Sequence, residues 1–379
     1  MKRVLILGAS GSIGTNAIEV IQDFPDSLKL VGVQVHKNKK LLSKLKKKHP
    51  GVITASSSEG ETIADISGPD LYKRLIDAAK PDIVVNGISG SPGLMPSVIT
   101  LESGIDLALA NKETVVMAGE IIFDLATSRG VSILPVDSEH SALFHLLEGK
   151  KPEDIKQLLI TASGGPFFGF SRKDLIKVGV QDALKHPTWK MGGKITVDSA
   201  TLANKGLELI EAMYLFGVPE DRIRVLVHRQ SKVHALVRMT DGALYAQISD
   251  PDMKHPIHNA LFYPEKHPCS YGEMDLVGHI LNFNEPDGDA FPLLPLSRIC
   301  ARNRGLYPVA YNAANEVAVE LFLKRKLAFN TISDLVSRVL DEDIPTKAAG
   351  SIEEILDANT FYHERARVLR KELPYRSTY

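Results

Sequence analysis

Asp137 and Glu139 stand either side of Ser138 at the end of a mostly apolar run, Val131–Val136. Two carboxylates held this close repel each other unless a cation lies between them. The run reads as a buried strand, and His140-Ser-Ala-Leu-Phe-His-Leu-Leu147 reads as a helix. Open α/β sheets bind their ligands at the carboxyl ends of strands, so the pair sits where a ligand belongs. A third carboxylate is available in Asn204-Lys-Gly-Leu-Glu208. Intervals of three and four put Asn204, Lys205 and Glu208 on one helix face. Taken alone, Lys205 and Glu208 read as a surface ion pair of almost no energetic consequence. Beside Asp137 and Glu139, which need another ligand, Glu208 reads as the third metal carboxylate and Asn204 with Lys205 as an anion clamp.

Three carboxylates without a thiolate or histidine set suit a hard divalent cation, Mg²⁺ or Mn²⁺. His140 and His145 are five apart and lack the four-residue spacing of a helical zinc motif. Such a cation, with open positions, would act as a Lewis acid on a carbonyl and a neighbouring hydroxyl. Ser163, Ser199, Asn204 and Lys205 are the donors a phosphate would want.

The elements upstream read as a dinucleotide site. The strand Val4–Leu7 runs into Gly8-Ala-Ser-Gly-Ser-Ile-Gly14 and then a helical pattern, Thr15–Gln22. Glycines so spaced permit a tight turn and close approach of a pyrophosphate to the helix N-terminus. A second strand, Leu28–Val35, ends on His36-Lys37-Asn38-Lys39-Lys40 where an NAD site would carry an acidic residue. A cationic end suits a 2′-phosphate, hence NADP. Lys44, Lys46, Lys47 and Lys48 read as a solvated helix face. The strands Asp82–Ile88, Asp106–Ala110 and Val131–Val136 alternate with helices, which implies a parallel sheet covered on both faces. Asn111, Lys112 and Glu113 lie at the ligand edge of that sheet.

Further on, Ile155–Ala162 reads as a strand ending in Ser163-Gly-Gly-Pro-Phe-Phe-Gly169. The long connection to His186-Pro-Thr-Trp-Lys-Met-Gly-Gly193 has the character of a lid, with Trp189, the only tryptophan, positioned to cover a ligand. The residues from Ile195 lead into a helix running to about Phe216. The strands Arg222–Arg229, Val233–Met239 and Ala243–Ser249 form a mainly antiparallel sheet with a turn at Asp241-Gly242. Its free face would suit a homodimer, His228 and His234 read as strand residues, and Met253 would be an apolar wall if near the site. Beyond Phe283–Pro292 the periodicity is helical, and the tail reads as structural support. The expected domains are residues 1–136, a Rossmann-like cofactor domain; 137–285, an α+β catalytic domain with the metal site and lid; and 286–379, a helical domain.

A chain of 379 residues with net charge −1 gives no reason to expect nucleic acid or an anionic membrane as partner. Cys269 and Cys300 have no metal or redox spacing. The N-terminus runs straight into a strand, so no targeting segment is expected, and no apolar run approaches the ~20 residues of a membrane span. A cytoplasmic location is the expectation. The residues by themselves describe an NADP- and metal-dependent oxidoreductase of a small phosphorylated hydroxy-carbonyl compound. A metal-independent dehydrogenase of similar domain plan and a non-catalytic NADP-sensing module remain open alternatives.

Six motifs in order sharpen this. Gly8-Ala-Ser-Gly-Ser-Ile-Gly14, Ala110-Asn-Lys-Glu113, Pro135-Val-Asp-Ser-Glu-His-Ser141, Thr161-Ala-Ser-Gly-Gly-Pro-Phe167, His186-Pro-Thr-Trp-Lys-Met-Gly192 and Val197-Asp-Ser-Ala-Thr-Leu-Ala-Asn-Lys-Gly-Leu-Glu208 resemble the 1-deoxy-D-xylulose 5-phosphate reductoisomerase family. Asn312-Ala-Ala-Asn-Glu-Val317 extends the resemblance into the tail. The resemblance implies that Asp137, Glu139 and Glu208 hold Mn²⁺ or Mg²⁺, with Ser138 touching substrate beside it. It implies that Ser163, Ser199, Asn204 and Lys205 receive the phosphate, that Lys112 approaches the substrate oxygens, and that His186 and Trp189 close over the substrate; Met253 is a further expected substrate contact, or else core. Lys112, Asp137, Glu139, His186, Lys205 and Glu208 would form the catalytic set. Ser10, Gly11, Ser12, Ile13, His36, Lys37, Asn38, Asn111, Glu113 and Gly192 would line the NADPH site. The implied reaction is a skeletal rearrangement followed by reduction of an aldehyde, giving 2-C-methyl-D-erythritol 4-phosphate, an isoprenoid precursor. Two positions depart from the pattern: Gly193 replaces a basic residue, and Ser10 stands where Thr is frequent.

Overall fold

The computed structural model describes residues 1–58 and 63–373. The end of the expected third domain, residues 374–379, lies outside the described residues. In chain order the elements begin β1 (Lys2–Leu7), α1 (Ser12–Asp23), β2 (Leu28–Val35), α2 (Lys39–Lys48), β3 (Ile53–Ser56), β4 (Ile66–Ser67), α3 (Leu71–Ala79) and β5 (Ile83–Asn86). Then come α4 (Leu94–Glu102), β6 (Asp106–Leu109), α5 (Lys112–Arg129), β7 (Ile133–Pro135) and α6 (Ser138–Leu147).

The seven strands form a parallel sheet in the order β4-β3-β2-β1-β5-β6-β7. Val4–Leu7 is fully buried, as expected for a strand covered on both faces. On one face Leu5, Leu7 and Val84 pack against Leu71, Leu75 and Ile76 of α3. The order reverses between β1 and β5, so a crevice opens at their carboxyl ends. Two glycines make that edge tight. A Cβ on Gly8, whose φ is +77°, would stand 2.9 Å from the Gly87 carbonyl carbon, and one on Gly14 would stand 2.5 Å from Ala9 Cα.

The later elements are β8 (Ile155–Ala162), α7 (Val180–Ala183), α8 (Gly193–Ala200), α9 (Ala203–Phe216), β9 (Ile223–Val227), β10 (Val233–Met239) and β11 (Leu244–Ile248). They are followed by α10 (Lys254–Phe262), α11 (Leu293–Asn303), α12 (Tyr307–Leu323), α13 (Thr331–Leu340) and α14 (Ile352–Leu369). The second sheet has the order β11-β10-β8-β9; β10 runs antiparallel to both neighbours, and β8 and β9 are parallel. The stretch expected to lead into one helix holds two, because Leu202 between α8 and α9 adopts a left-handed backbone with φ of +59°.

By contacts the chain forms two compact units: residues 1–114, 120–141 and 252–273, and residues 115–119, 142–251 and 274–379. Residues 252–273, which the sequence places in the middle domain, therefore fold with the first unit. The cause is aromatic: Phe24, the C-cap of α1, meets the rings of His258, Phe262, His267 and Tyr271, and the Tyr271 hydroxyl donates to Asp23 at 2.5 Å. In the second unit α9 lies so close to α11 and α12 that a Cβ on Gly206 would come within 2.7 Å of Ser297. The tail helices thus pack directly on the helix carrying Lys205 and Glu208. Among the described residues no helix is long and apolar enough to cross a membrane.

Candidate active site

In the first unit, Ser10, His36, Lys37, Asn38, Lys39 and Lys40 line one recess of about 650 Å³. Asn38 also caps α2, accepting from the Leu41 N–H at 3.0 Å. Gly11 is the N-cap of α1 and brings no side-chain cap, so the helix end faces the crevice through its backbone. Ser12 and Ile13 form the first turn there, next to the glycine turn. Sequence reading overlooked Gln34: its amide oxygen accepts from the Gly8 N–H at 3.0 Å, and its nitrogen donates to Ser57, tying the glycine turn to the end of β2. A buried glutamine at a strand end was the available signal.

Asn111 is the N-cap of α5, accepting from the Thr114 N–H at 2.9 Å. Its amide nitrogen donates to the carbonyls of Ile88 and Gly90 and to Glu113 Oε2. The side chains of Asn111 and Glu113 therefore lock the edge of the sheet, and any cofactor they line meets a rigid wall.

Asp137 and Ser138 open α6, and the Ser141 N–H donates to the Asp137 carbonyl at 2.8 Å. Carboxylates are favoured at a helix N-terminus. Oxygens of Asp137 and Glu139 lie within 4.8 Å of each other. The Lys112 ammonium, whose side chain is 4% exposed, donates to Asp137, and Ser138 Oγ donates to Glu139. This crowding of hard oxygen donors fits a small divalent cation. Met253 also belongs to this unit, half-buried at the start of α10.

In the second unit Asn204, Lys205 and Glu208 share one face of α9, as their spacing predicts. Asn204 and Lys205 each donate to Glu208. The pair is not a surface one: the Lys205 and Glu208 side chains are 4% and 1% exposed.

Ser163, His186 and Ser199 come together although 36 residues separate the first from the last. His186 Nδ1 accepts from the backbone N–H groups of Thr188 and Trp189, at 3.1 and 2.8 Å. That nitrogen carries no proton, so Nε2 is the donor, at 2.9 Å from Ser163 Oγ and 3.1 Å from Ser199 Oγ. Burial, with a contribution from the positive charge of Arg229, pushes the His186 pKa down to about 4. Ser163 Oγ accepts from the Gly165 N–H as well, at 3.2 Å. Its lone pairs are filled, and its own hydrogen is left to donate to a ligand.

Trp189 is half-buried, with its ring 6.3 Å from that of His234. The connection carrying it is anchored by Phe167, buried against Phe329, and Gly192 closes it as the N-cap of α8. Gly193 is the first residue of α8, so the position where a basic residue was expected begins a helix. The roles of Asp198, Lys194 and Arg229 escaped sequence reading. Buried Asp198 pairs with Lys194 at 2.8 Å and accepts from Asn315 of α12 at 2.8 Å, which gives the tail motif a role in holding α8. Arg229 follows a strand and had no spacing signal.

Family models of 1-deoxy-D-xylulose 5-phosphate reductoisomerase match residues 4–119, and models of its C-terminal domains match 133–216 and 248–365. The chain is 45% identical to the 1-deoxy-D-xylulose 5-phosphate reductoisomerase of Treponema denticola over 97% of its length and 96% of the relative's. Among solved structures it is similar to DOX-P reductoisomerase in complex with NADPH, fosmidomycin and magnesium: 34% identity, TM-score 0.92, 98% of each chain covered. It is also similar to the Zymomonas mobilis enzyme in complex with NADPH: 33% identity, TM-score 0.88, covering 98% of this chain and 100% of that one. The chain belongs to the 1-deoxy-D-xylulose 5-phosphate reductoisomerase family.

Proposed function

We propose that the residues described above carry out the family's reaction: rearrangement and NADPH-dependent reduction of 1-deoxy-D-xylulose 5-phosphate to 2-C-methyl-D-erythritol 4-phosphate. The observation that carries the assignment is the Asp137–Glu139 pair, whose oxygens crowd at a strand end beside buried Lys112. In this reading Asp137, Glu139 and Glu208 would hold one Mg²⁺ or Mn²⁺, which would supply Lewis acidity for a hydroxy-carbonyl substrate. The glycine turn would seat NADPH and Lys37 with its neighbours would hold the 2′-phosphate; when bound, the cofactor would supply the hydride.

The chain's own groups do the rest. Lys112 orients Asp137 and sets a fixed positive charge near the substrate oxygens. Ser138 holds Glu139. Neutral His186 donates to the two serines and so turns their hydroxyl hydrogens toward the phosphate. Asn204 and Lys205 position Glu208 and complete the phosphate end. Trp189 and Met253 shield the substrate from water, which strengthens each of these polar interactions. The functional division is then a cofactor part, 1–136, a catalytic part, 137–285, and helical support, 286–379.

We also propose a homodimer built on the second sheet: Leu244 and Tyr245 on the edge strand are about half exposed, at 48% and 49%, an unusual loss of apolar burial for a monomer. Free Cys269 and Cys300 suit the cytoplasm.

The decisive assay follows NADPH consumption by the purified protein supplied with 1-deoxy-D-xylulose 5-phosphate. Turnover should need added Mn²⁺ or Mg²⁺ and stop with a chelator. Substrate-dependent turnover that survives chelation would refute the metal's role, and no turnover with any divalent metal would refute the reaction.

A further inference from the structure

Arg229 stands just beyond β9 and was not among the residues that sequence reading marked. Its Nη1 donates to the Gly165 carbonyl at 3.2 Å, and its guanidinium lies 5.1 Å from the centre of the Phe168 ring. Gly165 in turn presses on the serine helix: a Cβ there would come within 2.9 Å of the Ser199 carbonyl oxygen. Gly165 therefore joins the two: its carbonyl accepts from Arg229 and its N–H donates to Ser163 Oγ of the Ser163–His186–Ser199 cluster. It is half-buried, and among the described residues no carboxylate pairs with it. Among the described residues only one of its five N–H donors is engaged.

Charge balance gives this position its meaning. A phosphate monoester carries about −1.5 to −2 charges at neutral pH. The cluster meant to receive it offers two neutral hydroxyls and a neutral imidazole, and the Lys205 ammonium is already matched by Glu208. Arg229 is the adjoining cation that no carboxylate among the described residues neutralises, and its planar fork suits two phosphate oxygens at once.

We infer that Arg229 is a substrate-binding residue that supplies the fixed positive charge at the phosphate end of the site. The inference rests on the reading of Ser163, His186 and Ser199 as the phosphate pocket. The Phe168 ring lies against the guanidinium and the Gly165 carbonyl holds one edge, leaving the remaining donors to the phosphate.

The test compares Arg229→Gln, Arg229→Lys, Ser163→Ala and Ser199→Ala with the parent enzyme, holding Mg²⁺ and NADPH at saturation. Two quantities are read: KM for 1-deoxy-D-xylulose 5-phosphate, and competitive inhibition by inorganic phosphate. Loss of a charge-assisted contact should raise both KM and the phosphate inhibition constant roughly ten- to a hundredfold in Arg229→Gln, with a smaller change in kcat. Arg229→Lys should recover part of the loss, and thermal melting should show every compared variant folded. Lower kcat and melting temperature with unchanged phosphate inhibition would mean that Arg229 only braces the Gly165 loop, and would overturn the assignment. Weakened phosphate inhibition in both serine variants but not in Arg229→Gln would overturn Arg229 alone. Unchanged inhibition in all the variants would overturn the pocket itself.

Discussion

At the scale of single residues, burial decides what the charged groups can do. Lys205 and Glu208 would be an inconsequential pair at the surface, but at 4% and 1% exposure neither charge can go unmatched. Glu208→Gln removes the buried carboxylate that accepts from Lys205, and breaking a buried pair in this way costs about 3–5 kcal/mol. Urea unfolding of the metal-free protein should show a lower midpoint with an unchanged slope. An unaltered midpoint would mean that solvent already screens the pair. His186 follows the same logic with the opposite sign. Its ordinary pKa of 6.5 falls to about 4 because burial, and then Arg229, disfavour the imidazolium. The unfolded chain takes up this proton on acidification before the folded chain does. His186 therefore favours the fold fully above pH 6.5, and that contribution is eroded as the pH falls and gone once it has passed through 4. Nitrogen-detected NMR should find the Nε2–H tautomer at neutral pH, with no titration near 6.5; an imidazolium at pH 6 would contradict the hydrogen-bond assignment.

At the scale of elements, the turn after β1 and the face of α9 do the positioning. Lys37 lies in the recess at the end of β2, so Lys37→Gln should raise KM for NADPH several-fold and leave KM for NADH nearly unchanged. An equal rise for both would place the 2′-phosphate elsewhere. Gly206 lets α9 settle onto Ser297 and the Tyr311 hydroxyl, and Gly206→Ala forces them apart. Overpacking of this kind costs about 1–3 kcal/mol, and here it should also lower kcat/KM, because Lys205 and Glu208 ride on the same helix. Much of this positioning was legible beforehand. Val4–Leu7, Leu28–Val35 and Ile155–Ala162 declare themselves by apolar composition and bounded length, and the interval from Asn204 to Glu208 declares a shared face. What escaped depends on contacts distant in sequence. The return of residues 252–273 to the first unit rests on rings gathered around Phe24, and Arg229 gains its meaning from Gly165 and His186 on another connection. Neither has a local period to reveal it. The tail motif is an intermediate case: Asn312 and Asn315 stood out as a pattern, and the bond from Asn315 to Asp198 gives that pattern its tie to α8.

At the scale of the whole molecule, the chain places two kinds of chemistry on two kinds of scaffold. A parallel sheet with its strand order reversed between β1 and β5 offers a cofactor crevice, and a mixed sheet with helices around it offers serines, a neutral histidine and a buried carboxylate. The exposed edge at β11 predicts self-association, so Tyr245→Lys should shift sedimentation toward the monomer while leaving the fold intact. An unchanged sedimentation coefficient would move the interface elsewhere. The central claim of the proposed reaction is one cation held by Asp137, Glu139 and Glu208. The most direct measurement is Mn²⁺ binding by electron paramagnetic resonance in the parent protein, Glu139→Gln and Glu208→Gln, each verified as folded. The expected result is one Mn²⁺ per chain, with affinity reduced at least roughly tenfold by either substitution. Parent-like Mn²⁺ affinity in Glu208→Gln would contradict the shared site.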